Sequence, residues 1–171
     1  MHVDAYAFIR ALDGMVRRPV FPPTPGAVFS GARNFASLPL AGYLSLMLRI
    51  ASGVPAGQTR FTIVDPLGLG KQFAGFMHLA DYDELLVTSR IWTEPAHIEK
   101  RLGDLTEHME NVLQTYLRND YATLDDYNRE AGEVAEPYRI LVIANFPANF
   151  TELALRRLAS IAEGGVKCGV F

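Results

Sequence analysis

The chain has little cysteine, little clustered positive charge and no long apolar run. A single cysteine among 171 residues, Cys168, excludes an intrachain disulfide. It lies in an apolar stretch and reads as a small buried hydrophobe of a reducing compartment. The net charge is −3, and basic residues never cluster beyond the pairs Arg17-Arg18 and Arg156-Arg157. Duplex DNA is bound through grouped Lys and Arg that displace counterions from phosphates, so weak or no direct DNA binding is expected. No apolar stretch approaches the roughly 20 residues that span a bilayer. The first residues lack the charged-then-apolar pattern of a signal peptide. The expectation is a cytoplasmic protein with no membrane span. Catalytic words are scarce as well. There is no Gly-x-Ser-x-Gly elbow, and Lys167 is the one charged neighbour of Cys168, which leaves no signature of nucleophilic catalysis.

What is present suits one α/β core. Hydrophobic residues make up 49% of the chain, enough to bury a core. Residues 1–39 stand apart. Tyr6, Ile9, Leu12 and Val16 have helical spacing, and Pro19, Pro22, Pro23 and Pro25 then define a linker or extended arm. From residue 40 onward the elements alternate. A mostly apolar helix over 40–51 precedes a strand over 59–65, a short strand near 85–89 and a long helix over 95–118 with Thr93 as its cap. A strand over 139–145, a helix over 149–163 and a strand over 166–171 follow. Such alternation predicts a mainly parallel sheet covered by helices on both faces. In the long helix, Ile98, Leu102, Leu105, Met109, Val112 and Tyr116 form one stripe, read as the face that covers the sheet, and Gly103 is a mild defect.

Two candidate ligand groups come to little. His97 and His108 are about three helical turns apart, too far to share an ion. His78, Asp81 and Asp83 are read as solvated loop residues, because a metal site needs three or four converging ligands.

The most informative segment is Arg60-Phe-Thr-Ile-Val-Asp-Pro-Leu-Gly68, an apolar strand that ends in an acid at the edge of a glycine turn. Open α/β sheets place ligand chemistry at the carboxyl ends of their strands. The ordered words Asp65-Pro66-Leu67-Gly68, Met109-Glu110, the turn Leu124-Asp-Asp-Tyr-Asn128 and the apolar run Arg139-Ile-Leu-Val-Ile-Ala-Asn-Phe146 follow one another. In order and spacing, roughly residues 40–171 resemble the motor domain of the FtsK/SpoIIIE family of DNA-translocating P-loop ATPases. The resemblance implies a P-loop NTPase, RecA-like three-layer α/β/α sandwich with a mainly parallel sheet, here incomplete. It also implies ATP and Mg²⁺ as the family's cofactors, and ring assemblies that thread DNA.

The same resemblance shows what is missing. Where the phosphate-binding loop is due, the chain reads Gly31-Ala-Arg-Asn-Phe-Ala-Ser-Leu-Pro39, with no Gly-Lys pair. Where the Walker B carboxylates are due stand Ala144 and Asn145, which removes both the Mg²⁺ anchor and the water-orienting base. The run ends at Phe171, ahead of the family's polar sensor residue. Gly68-Leu-Gly-Lys71 imitates a Walker A tail, but Gln72 stands where Ser or Thr is required, so it is read as a turn. Asp65, Gly68, Ala144 and Asn145 are therefore remnants of a nucleotide site, with no catalytic residue among them and no cofactor held by this chain alone. The expected function is a degenerate ATPase module of a DNA-translocation or segregation system, without hydrolysis of its own. The alternative is a catalytically dead P-loop-fold module with structural or regulatory protein contacts. Expected partners are further copies of the chain and other subunits or domains of a translocase.

Overall fold

The computed structural model describes residues 40–54, 57–81, 85–87, 90–118 and 121–171. The expected N-terminal helix, the proline arm and the 31–39 loop lie outside the described residues, as do Asp83 and residues 88–89. The chain divides into two compact units, Met1–Ala56 and Gly57–Phe171. In the first, α1 spans Leu40–Gly53. Met47 and Ile50 are buried, one turn apart, but Leu48 is 56% exposed, so the helix is not apolar-buried all round.

The second unit is organised by two parallel strands, β1 (Thr59–Val64) and β2 (Tyr138–Ile143), paired from Thr59↔Tyr138 to Val64↔Ile143. Both runs are rich in β-branched and aromatic residues, as buried strands are. Single parallel bridges extend the ladder on either side, Phe61↔Val87 and Val64↔Trp92 beyond β1, and Arg139↔Val170 beyond β2. Across the sheet the four segments thus run second, first, third, fourth in chain order, all parallel.

The two outer segments differ from expectation. Residues 85–86 form a turn with Leu85 60% exposed, and among the described residues of this stretch Val87 and Trp92 make the bridges to β1. The 166–171 strand is replaced by a 3₁₀ turn, Gly165–Cys168, closed by Gly169 at φ 71. That left-handed glycine turns the chain. Only the last residues therefore reach β2, through Arg139 N–H to Gly169 O at 2.8 Å and Leu141 N–H to Phe171 O at 2.7 Å.

The two long helices of this unit cover one face. α3 (Pro95–Thr115) buries Ile98, Leu102, Leu105, Met109 and Val112 in a cluster with Val64, Leu124, Ala154, Ile161 and Val170. Its cap is Glu94 rather than Thr93, with Pro95 in the first turn, where a missing N–H costs nothing. α5 (Glu152–Gly164) packs beside it, capped by Thr151 Oγ1, which accepts from Ala154 N–H at 3.1 Å. Gly103 proves to be a close approach instead of a defect. A Cβ there would sit 3.0 Å from Arg157 Nη1, and the same nitrogen donates to Glu99 O at 2.7 Å. On the opposite face, Phe61 meets Phe76 of the short helix α2 (Ala74–Met77), ring centroids 6.4 Å apart. Cys168 is buried, and burial pushes its thiol above its usual pKa.

The Leu124-Asp-Asp-Tyr-Asn128 word is the first turn of a helix, α4 (Leu124–Ala131), not a turn that closes α3. Thr123 and Asp126 form a reciprocal capping box. Asp125, buried, accepts from Tyr138 Oη at 2.9 Å. Tyr127 packs on Tyr116 at 4.6 Å. Asn128 donates to Glu136 O and accepts from Glu136 N–H, both at 2.9 Å. The word thus ties α4 to its neighbours and to the start of β2.

Candidate functional site

Parallel pairing brings the carboxyl ends of β1, β2 and the Trp92 segment to one edge. Asp65 N–H donates to Trp92 O at 2.9 Å, and Ala144 N–H donates to Val64 O at 2.8 Å. This places three of the four residues singled out in the sequence, Asp65, Ala144 and Asn145, at adjacent strand ends, with Gly68 in the turn that follows Asp65.

Asp65 is fully buried, and its carboxyl is an acceptor for three groups. Oδ1 takes Gly68 N–H and Asn145 Nδ2–H, each at 2.9 Å, and Oδ2 takes Gly70 N–H at 3.2 Å. The turn is shaped to allow this. Leu69 and Gly70 have φ of 49° and 76°, a left-handed pair that curls the turn so that the Gly68 and Gly70 amides both meet the carboxyl. Gly68 has no alternative, because a Cβ there would run into Asp65 Oδ2.

The β2 end is equally constrained. Ala144 is buried. Asn145 has φ 56°, and the next peptide, Phe146–Pro147, is cis. Asn tolerates such a φ better than most residues. Asn149, at φ 59°, donates from Nδ2 to Thr93 O at 3.1 Å, joining this loop to the segment ahead of α3. Phe146 and Phe150 meet edge to face at 5.2 Å.

The chemistry of this edge is that of a latch. The amides of Gly68 and Gly70, which a phosphate would need, point at a carboxyl of the same chain. Lys71 is exposed at the start of a 3₁₀ turn. No three His, Cys, Asp or Glu residues converge on a common point among the described residues. His78 and Asp81, expected as loop residues, lie 3.5 Å apart and are mostly exposed.

Sequence reading missed a second constellation. Arg60 and Arg139 are direct partners in the β1–β2 register, and the charges of both reach His108 of α3. Burial first, then the charges of Arg139 and Arg60, lower the His108 pKa to about 4. The available signal was one Arg at the second position of each of two mostly apolar strands, legible only once the register is known.

A scan against family models, a search of curated proteins and a search of solved structures each return no match for this chain.

Proposed function

We propose that this chain is a non-hydrolysing module of an FtsK/SpoIIIE-like DNA-translocation system, built on a degenerate, incomplete P-loop core of the RecA-like kind. In this reading it acts through protein contacts, with itself and with other subunits, while ATP and Mg²⁺ are handled elsewhere. The observation that supports it most is the Asp65–Asn145 hydrogen bond at 2.9 Å. The two words that the resemblance equates with the family's Asp-Pro strand and Walker B strand end side by side, as parts of one nucleotide site would. Yet the pair that meets there is one carboxyl and one amide. An amide is a neutral ligand and a very weak base, so it neither anchors Mg²⁺ strongly nor takes up the proton of an attacking water.

The test is phosphate release by the purified chain at millimolar ATP and Mg²⁺, beside nucleotide titration followed by backbone amide NMR. Release equal to the protein-free blank, with the Gly68 and Gly70 amides unmoved, is the expected result. Turnover that survives repurification and disappears on Asp65→Asn would overturn the reading.

A further inference from the structure

At the other end of the ladder from Asp65, Arg60 and Arg139 occupy the second register pair of β1 and β2. Paired residues of parallel strands share a face and lie about 4.8 Å apart across the ladder. Here that face is the one beneath α3, since Val64 on the same side of β1 belongs to the cluster that α3 buries. Two like charges so placed repel unless a counter-charge sits between them. Among the described residues the supply is one carboxylate, Glu136, at 3.4 Å from Arg139, and Arg60 has no ion-pair partner. The Nε atoms of Arg60 and Arg139 and Nε2 of His108 are all shielded from solvent with no hydrogen-bond partner. Buried polar atoms are ordinarily paired, so orphans on three neighbouring side chains call for an explanation by a missing acceptor.

Arg139 and His108 line an open cleft of about 600 Å³, whose other walls include the exposed Asp104, Glu107 and Glu110. That volume lies in the range of small-molecule sites. We propose that this cleft binds the oxyanion of a small phosphomonoester, with Arg139 and His108 as the donors and the charge of Arg60 behind them. Guanidinium groups suit the site because their planar donors match phosphate oxygens. The acidic residues at the mouth repel polyanions such as DNA or nucleoside triphosphates and favour a ligand whose remainder is neutral or cationic.

The side-chain resonances of His108 provide the readout. The probes are sulfate, inorganic phosphate and phosphoethanolamine, each against chloride at matched ionic strength. Sulfate keeps its charge across the pH range and serves for the titration arm. The charged groups around His108 are Arg60 from β1, Arg139 from β2 with its ion-pair partner Glu136, and Asp104, Glu107 and Glu110 along its own helix. A bound dianion offsets the two arginines. The His108 midpoint should therefore rise from about 4 toward its ordinary value in sulfate. Phosphoethanolamine should bind more tightly than phosphate. Arg139→Gln should weaken binding by about tenfold, the scale of one charge-assisted hydrogen bond, and Arg60→Gln by a smaller factor, as the loss of a charge behind the site. Arg156→Gln, at an exposed arginine paired with Glu152, should change nothing. Glu107→Gln and Glu110→Gln are surface changes that should tighten phosphate binding and do not depend on the core variants folding. A His108 midpoint that is the same in sulfate and in chloride overturns the proposal. So does binding that Arg60→Gln and Arg139→Gln leave intact, or displacement of phosphate by a DNA oligonucleotide.

Discussion

Asn145 Nδ2 donates to Asp65 Oδ1 at 2.9 Å, across 80 residues of sequence, and so closes the carboxyl ends of β1 and β2 against each other. Gly68 N–H shares that oxygen at the same distance. One buried carboxyl therefore sets both the turn after β1 and the register of the loop after β2.

If Asp65 is a latch, its removal registers in stability. Asp65→Ala leaves the Gly68 and Gly70 amides and the Asn145 side chain without their acceptor, and should cost about 3 kcal/mol. Asp65→Asn should be nearly as harmful, because one arm of the amide then presents its own N–H to a donor. Asn145→Gly keeps the left-handed backbone and loses one bond, at about 1 kcal/mol. Urea unfolding of the three variants measures the series. An Asp65→Asn protein as stable as the parent would show that the carboxyl is free for another task.

Two glycines of the same region should respond in opposite ways. A methyl at Gly68 would collide with the Asp65 carboxyl, whereas one at Gly75, within α2, would meet nothing within 4 Å. Gly68→Ala should lower stability by about 2 kcal/mol through the broken latch. Gly75→Ala should be neutral or stabilising by up to about 1 kcal/mol, the helix-propensity difference. Thermal unfolding of both variants in one buffer gives the comparison.

These residues show how far the sequence could be read. The interiors of β1, β2, α3 and α5 follow from apolar periodicity, since burial enforces it along each element. Asp65, Ala144 and Asn145 fall at one edge because parallel strands align their carboxyl ends. The hydrogen bonds that occupy Asp65 are not legible, because they depend on two residues at positive φ and on a contact between distant segments. The expected strand over 166–171 does not form for a local reason, the left-handed Gly169, which an apolar pattern does not register. The acidic word at 124–128 is expected as a turn on the family resemblance, yet the Asp and Asn preferences that suit turns also serve helix caps. Thr123 with Asp126 uses them in that way.

The tie between α4 and β2 should behave as a unit. Asn128→Ala removes both bonds to the Glu136 backbone, and should cost about 1–2 kcal/mol. Tyr138→Phe leaves buried Asp125 with its Arg129 contact, and should cost about 1 kcal/mol. The two sites flank the same short connection, so the double variant should cost less than the sum of the singles. Chemical denaturation of the four proteins closes the cycle. Strict additivity would mean that α4 and the start of β2 are held independently.

Self-association is expected from the surface of the second unit. Leu67 and Leu69, two residues apart in the turn after β1, are 66% and 69% exposed and offer apolar side chains for a second copy to cover. A twofold dimer is the simplest closed arrangement. Sedimentation velocity over a hundredfold range of concentration should show a species heavier than the 18.9 kDa chain, and Leu67→Glu with Leu69→Glu should return it to that mass. One species at 18.9 kDa throughout would defeat the expectation.

Acid should act on this fold through His108. Its pKa is lowered from 6.5 to about 4, by burial first and then by Arg139 and Arg60. The unfolded chain therefore binds this proton more readily than the folded one between those two values. Stability from this group is fully present above pH 6.5, declines as the pH falls toward about 4, and changes no further below that. Solvent reaches part of the ring, and the loss across the window should be about 1–2 kcal/mol once that screening is counted. His108→Gln cannot take up the proton and should flatten this part of the stability–pH profile. Urea midpoints at half-unit intervals from about pH 7 to 4 would decide the matter. Parallel curves for the parent and His108→Gln would mean that neither burial nor the two arginines depresses the pKa of this imidazole in the folded chain.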